Sequence, residues 1–331
     1  MTELVYTSNI LKYSLQSSSH IILDVEKQIT DKLIANCNPD DIFINCVWLE
    51  LDKDLIELGK KNHTRTFIYS GYDQENTACR KEVNDYVLNN FNNVEYIGNH
   101  NSKLYFNFWL HFLSKYKDNF PTIPQNPEAS KLYMNLNRKP HSHRVKLFNE
   151  LKKNSLLESG YVSLGGDKNR EPYLLENDVI NIEGDKTHLG EPLLIPNDIT
   201  SPGNLEYWNN HLINIQTETT MHTNVFISEK TWKPILGGKL FMILGDYEIY
   251  NKLKEYGIDT FDDILGTGYT STSDDERMLW IVKTLKKFQY TDYTALYRKL
   301  RPRLVANQIR VNQVIGENYS KLEEILRYIK N

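Results

Sequence analysis

Residues 211–256, HLINIQTETTMHTNVFISEKTWKPILGGKLFMILGDYEIYNKLKEY, switch back and forth between strand and helix patterns. His211 to Gln216 and Leu240 to Leu244 are runs of strand length, rich in Ile, Leu and Phe. Short runs that are apolar on both faces suit a parallel sheet covered on both sides. Val225 to Ile227 has the same character over three residues and predicts another strand end. Between and after these runs the pattern is helical, from Glu229 and again from Asp246 to Tyr256. Ser228 stands where a hydroxyl caps the first helix, and Gly257 where a left-handed residue ends the second. Pro234 predicts a kinked or shortened helix, since it offers no N–H to the carbonyl one turn back. Strands alternating with helices in this way define an α/β architecture.

The same alternation continues upstream. Lys131 to Leu136 (KLYMNL) predicts a strand, Arg144 to Asn154 a helix and Tyr161 to Leu164 a strand, before a polar, Gly-rich connection from Gly165 to about Asp198. In the first third, strands are predicted at 41–49, 65–70 and 94–97, and helices at 52–61, 77–91 and 102–116. The stretch NFPTIPQNPEAS at 119–130 places three prolines within seven residues and interrupts both patterns, as a linker does. From Asp274 onward the chain is helical and amphipathic. The expected organisation is an α/β domain at 1–120, a second at 131–275 and C-terminal helices at 276–331. Two Rossmann-like domains of this kind present the carboxyl ends of their parallel sheets to a cleft, where ligands of open α/β sheets bind.

Composition narrows the function classes. A chain of 331 residues with 40% hydrophobic and 25% charged residues has enough apolar surface for a core and is not a solvating, disordered composition. No apolar run reaches the roughly 20 residues of a membrane-spanning helix. The formal charge of −4 advertises no global basic field for nucleic acid. Cys37, Cys46 and Cys79 form no CxxC pair, so neither a disulfide framework nor a zinc knuckle is implied. The first residues lack a basic segment followed by an apolar one, which predicts no signal peptide and a cytoplasmic location.

Chemistry concentrates in three segments of the second half. Glu229 suits the positive end of a helix dipole, but Lys230 opposes it, and Lys233 follows one turn later. Two lysines at a capped helix start, with Ser228 as the cap, fit an anion held by backbone N–H and ammonium groups together; a solvated helix start paired with nearby acids is the alternative. At Asn137–Arg144 (NRKPHSHR) a strand runs into a helix amid Arg138, Lys139 and Arg144, with Lys146 following, so the junction could take phosphate oxygens or be a solvated basic loop. His141 and His143 form an HxH with no Cys or carboxylate partner at ligand spacing, and no metal site is expected. Glu218, Thr219 and Thr220 offer a carboxylate and hydroxyls at a strand end, suited to sugar hydroxyls or to capping a turn. Gly237-Gly238-Lys239 fails as a phosphate-binding loop, because Lys239 precedes a strand instead of opening a helix. In the first domain Glu50, Asp52, Asp73 and Glu75 stand at strand ends, and Asp73 or Glu50 is the candidate general base. Asp52-Lys53-Asp54 has the form of a DxD metal motif, which a helix start explains equally well.

Taken in order, NRKPHSHR and then TETTMHTNVFISEKTWKPILGGKLFMILG resemble the nucleotide-sugar-binding half of GT-B glycosyltransferases. The likeness is to the fucosyltransferase-like and exostosin-like families and their relatives encoded by phages and large viruses, and it covers roughly residues 131–260. Ser228-Glu229-Lys230 matches their [ST]-E-K helix start, and Gly238 with Leu240 to Gly245 the strand that follows. The acidic element departs from the pattern, since Glu218-Thr219-Thr220 lacks the Asn and is shifted by about one residue. The resemblance implies a metal-independent transferase with no cofactor and a nucleotide diphosphate sugar as donor substrate. Lys230 and Arg138 or Arg144 would contact the diphosphate, and Glu229 and Glu218 would hold ribose or sugar hydroxyls. The acceptor would be a glycan or a hydroxymethylated base in phage DNA. A non-catalytic sugar- or nucleotide-binding module of the same fold is the alternative.

Overall fold

The computed structural model describes residues 32–33, 35–38, 41–45, 65–69, 85–91, 93–97, 104–114, 117–137, 139–166, 171–173, 202–221, 225 and 227–331. They divide into two compact units, residues 1–111 with 315–331, and residues 112–314. Both are mixed α/β with parallel sheets.

In the first unit β1 (Ile42–Asn45), β2 (Thr66–Tyr69) and β3 (Val94–Ile97) pair in that order, all parallel. Successive β2 residues Phe67 and Ile68 are both buried, so this strand is covered on both faces, as the apolar run predicts. Residues 85–90 are helical and α1 (Phe108–Ser114) follows the sheet. This helix starts six residues later than the pattern at 102–116 suggests, because Asn107 caps it, its Oδ1 accepting from Leu110 N at 3.0 Å. The Asn107 main chain is in turn paired with the Asn318 amide at 2.6 and 2.9 Å. Leu322, Ile325, Leu326 and Ile329 recur at helical spacing and are buried, and Arg65 ties Ile329 O (2.7 Å) to buried Asp41 (3.0 Å).

The second unit is built on β4 (Lys131–Asn137), β5 (Gly160–Leu164), β6 (His211–Thr217) and β7 (Leu240–Leu244). All are parallel in the order β5-β4-β6-β7. Every β7 side chain is buried, which contributes about 1.5–3 kcal/mol for each large apolar one. The helices are α2 (Ser142–Lys153), α3 (Leu205–Asn209), α4 (Glu229–Leu236), α5 (Ile249–Glu255), α6 (Asp262–Leu265), α7 (Asp274–Phe288) and α8 (Tyr293–Lys330), the last of which belongs to the first unit from residue 315 on. Helix α4 ends two residues after Pro234, and Gly257 takes the left-handed conformation expected of it, with φ +77°. No strand forms at Val225 and Ile227: Val225 is a turn residue with φ +29°, and Ile227 is buried without a ladder partner just before the Ser228 cap. An apolar triplet is enough for burial and too short to dictate pairing.

After Asn119, which ends a 3-10 turn, the proline-rich stretch forms neither helix nor strand over residues 120–130. It lies against α8, where Arg301 Nε donates to Pro124 O at 2.7 Å and Gln308 Nε2 to Pro121 O at 3.2 Å. Its Ile123 is buried beside Gly238, where an added Cβ would come within 2.2 Å of Ile123 Cγ1. Among the described residues no helix is long and apolar enough to cross a membrane.

Candidate functional site

The strand order places a topological switch point between β4 and β6, where the sheet turns from growing towards β5 to growing towards β7. Ligands of open α/β sheets bind beyond the carboxyl ends of the strands at such a point. Because β4 and β6 are parallel, the helices that follow them, α2 and α4, both start at this edge. Buried side chains tie the two strand ends: Thr217 Oγ1 donates to Asn137 Oδ1, and Asn137 Nδ2 donates to Asn135 Oδ1 at 2.9 Å.

Glu218 leaves β6 with its own N–H still in the ladder, donating to Leu244 O at 2.9 Å. Its fully buried carboxylate holds the start of α4. Oε1 accepts from Ser228 N at 3.1 Å and Thr231 Oγ1 at 2.7 Å, and Oε2 accepts from Ser228 Oγ at 2.6 Å. The carboxylate can sit there because residue 245 is glycine; a Cβ on Gly245 would lie 3.1 Å from Glu218 Cβ and 2.8 Å from Ile249 Cδ1. Ser228 caps α4 as expected, accepting from Lys230 N at 3.2 Å, and also from Lys230 Nζ at 3.2 Å.

Lys230 Nζ pairs with Glu229 Oε1 at 2.7 Å and keeps 28% of its side chain exposed. Burial pulls its ammonium downward, but the Glu229 and Glu218 carboxylates more than reverse that, so its pKa lies above the ordinary lysine value. Glu229 is buried, and its second oxygen, Oε2, has no hydrogen-bond partner among the described residues. A buried carboxylate oxygen without a donor is costly, and a ligand hydroxyl would supply one.

Helix α2 faces α4 with cations. Its first turn holds no acid, although a helix N-terminus favours negative charge. Arg144 is buried, with Nη1 donating to Lys139 O and Nη2 to Thr217 O, both at 3.2 Å. It thus clamps the loop after β4 to the end of β6. His143 Nε2 donates to Glu218 O at 2.8 Å, and its ring stacks on that of His141 at 5.9 Å and 7°. Burial first, then the charges of Arg144, His143, Lys139 and Lys230, lowers the His141 pKa to about 4. His141 therefore senses cations from both helix starts.

The structure thus brings Arg144, Glu218, Ser228, Glu229 and Lys230 to one place. Thr219 is exposed in the loop after β6, and Lys233 is half-buried on α4. Lys146 pairs with Asp275 on α7 instead of turning to the site. Arg138, Glu50 and Asp73, like Asp52, Asp54 and Glu75, lie outside the described residues. The His141 and His143 rings are parallel with centroids 5.9 Å apart, and no group of three His, Cys, Asp or Glu side chains could hold a metal ion among the described residues. Gly237-Gly238-Lys239 sits at the opposite, amino-terminal edge. Gly237 admits Trp208, whose Cζ2 lies 2.0 Å from where a Cβ would be. Gly238 has φ +63°, and Lys239 is buried with Nζ donating to His211 O at 2.9 Å. Sequence alone assigned no role of their own to Asn135, Asn137 and Gly245; two amides in an apolar strand, and a glycine directly after one, were the available signals.

Compared with known proteins, the chain matches no protein-family model, no curated protein and no solved structure.

Proposed function

We propose that the chain is a glycosyltransferase of GT-B type that moves a sugar from a nucleotide diphosphate sugar to a hydroxyl acceptor, a glycan or a hydroxymethylated base in DNA. One observation carries this reading: at the switch point the starts of α2 and α4 bring Lys230, Arg144, Lys139 and two histidines together beside a buried carboxylate with an unpartnered oxygen. Cations and helix N–H groups fit the diphosphate, and Glu229 Oε2 fits a ribose or sugar hydroxyl.

In this reading Lys230 neutralises the leaving diphosphate together with Arg138 of the NRKPHSHR segment, so that cations do the electrostatic work a metal ion does elsewhere. Arg144 and Glu218 hold the two helix starts in register through the Thr217, Lys139, Ser228 and Thr231 contacts. A carboxylate from residues 1–120, Asp73 or Glu50, takes the acceptor proton if the sugar inverts. In this reading each unit is a Rossmann-like domain, and the enzyme works in the cytoplasm.

The test is a thermal-shift screen against UDP, GDP, ADP and CMP and their sugars, followed by release of free nucleotide from whichever sugar shifts the transition. A ligand at 100 times its Kd stabilises by about 2.7 kcal/mol. Lys230→Ala should lower turnover by about two to three orders of magnitude. Full turnover in that variant sinks the assignment. A nucleotide that binds but is never turned over, with any acceptor, leaves a binding module of the same fold.

A further inference from the structure

We propose that His141 is a proton-coupled ligand of the anion at the switch point: it is neutral in the empty site and takes up a proton when a diphosphate binds. The inference rests on the anion site described above and adds how that site responds to pH. His141 is the N-cap of α2, yet its side chain makes no capping bond, and its ring nitrogens make no hydrogen bond among the described residues. The neighbouring His143 ring, anchored to Glu218 O at 2.8 Å, lies parallel to it with the ring centroids 5.9 Å apart. Its hydrogen-bonding edge is therefore unused among the described residues. An imidazole that already served as a cap or a strut would not be in that state.

The charges that face it come from every side of the junction: Lys139 from the loop after β4, His143 and Arg144 from α2, and Lys230 from α4, the last balanced by Glu229 and Glu218. This surround, together with burial, keeps the proton off; the free ring titrates at about 4. An anion of two or more charges reverses the local field. The ring then gains a proton from solvent and keeps it, and its N–H donates a charge-assisted hydrogen bond to a phosphate oxygen, added to those from Lys230 and the helix starts. Binding and protonation favour each other, so affinity should rise by about tenfold per pH unit as pH falls through the window between the bound and free values.

The experiment is calorimetric titration of the full chain with inorganic pyrophosphate at about pH 5, midway between the free and bound values, in two buffers of different ionisation heat, which counts protons taken up on binding. Wild type and His141→Gln are compared, so that protonation of the ligand itself cancels. The variant should take up nearly one proton fewer and lose most of the pH dependence of its affinity. Ring NMR of wild type gives a second readout that needs no variant: the His141 titration should move from about 4 to above roughly 6 when pyrophosphate is bound. Equal proton uptake in the two proteins, or an unmoved His141 titration with pyrophosphate bound, overturns this inference and leaves the anion site standing. No binding of pyrophosphate by wild type overturns the anion site itself, and the inference with it.

Discussion

Replacing Glu218 with Gln tests whether the start of α4 is held by charge or only by shape. The side chain is fully buried and accepts three hydrogen bonds, from Ser228 N, Ser228 Oγ and Thr231 Oγ1. A glutamine turned with its oxygen towards Ser228 N and Thr231 keeps two of them, now to a neutral acceptor. Its NH2 then meets Ser228 Oγ, which already accepts from Lys230 N and Lys230 Nζ at 3.2 Å. The Ser228 hydroxyl hydrogen is left without an acceptor. One bond to a charged group is lost, so Glu218→Gln should cost about 1.5–3 kcal/mol. Glu218→Ala removes all three and strands a buried N–H, for about 3–5 kcal/mol. Urea unfolding measures the loss, with the fluorescence of buried Trp232 on α4 as a local probe. Hydrogen exchange at Lys230 N, which Ser228 caps, should speed up by the same free energy if the latch opens locally. A Gln variant within about 0.5 kcal/mol of wild type, with Lys230 N as protected as before, would refute the idea that this carboxylate latches the helix.

Other outcomes follow from the opposite edge of the sheet. Burial holds Lys239 at about 7, well under its ordinary 10.5, so between those values the unfolded chain binds the extra proton. Stability should therefore rise with pH across that window by up to about 1.4 kcal/mol per unit. Lys239→Met should flatten the rise in urea midpoints, and an identical slope in both proteins would count against a neutral buried lysine. Gly238→Ala combines left-handed strain at φ +63° with a Cβ 2.2 Å from Ile123 Cγ1, and should cost about 2–5 kcal/mol. Adding Ile123→Ala should restore only the steric part, as a double-mutant cycle measures; full recovery would show that the backbone conformation carries no strain.

Strands β4 to β7 and helices α2, α4, α5 and α7 were legible because local forces act in them, whereas the short helices α3 and α6 carry no periodic signal. Apolar runs such as Leu240–Leu244 are buried on both faces, Ser228 caps the helix it precedes, and Gly257 takes the left-handed conformation its position calls for. Where burial acted without pairing, as at Ile227, the pattern suggested a strand that does not form. At Asn107 a cap outweighed an aromatic-rich run and set the helix start.

The candidate site divides along the same line. Sequence alone marked Lys230 as a cation set against its helix dipole, and the cluster from Arg138 to Arg144 as basic, because charge and capping are properties of neighbouring residues. It also rejected Gly237-Gly238-Lys239 as a phosphate loop on spacing. Only the tertiary structure decided that the β4 and β6 ends adjoin, since strand order depends on contacts between residues some 80 positions apart, such as Asn135 with Ile215. That adjacency made Arg144 a clamp on two carbonyls instead of a phosphate fork, while contacts between the end of β6 and the start of α4 made Glu218 the latch of that helix. It also set His141 beside Lys230 on another helix, and it left one oxygen of Glu229 buried without a donor. Periodicity and capping are local and can be read along the chain; which charges share a site depends on the order of strands in the sheet, and that is set by packing across the whole unit.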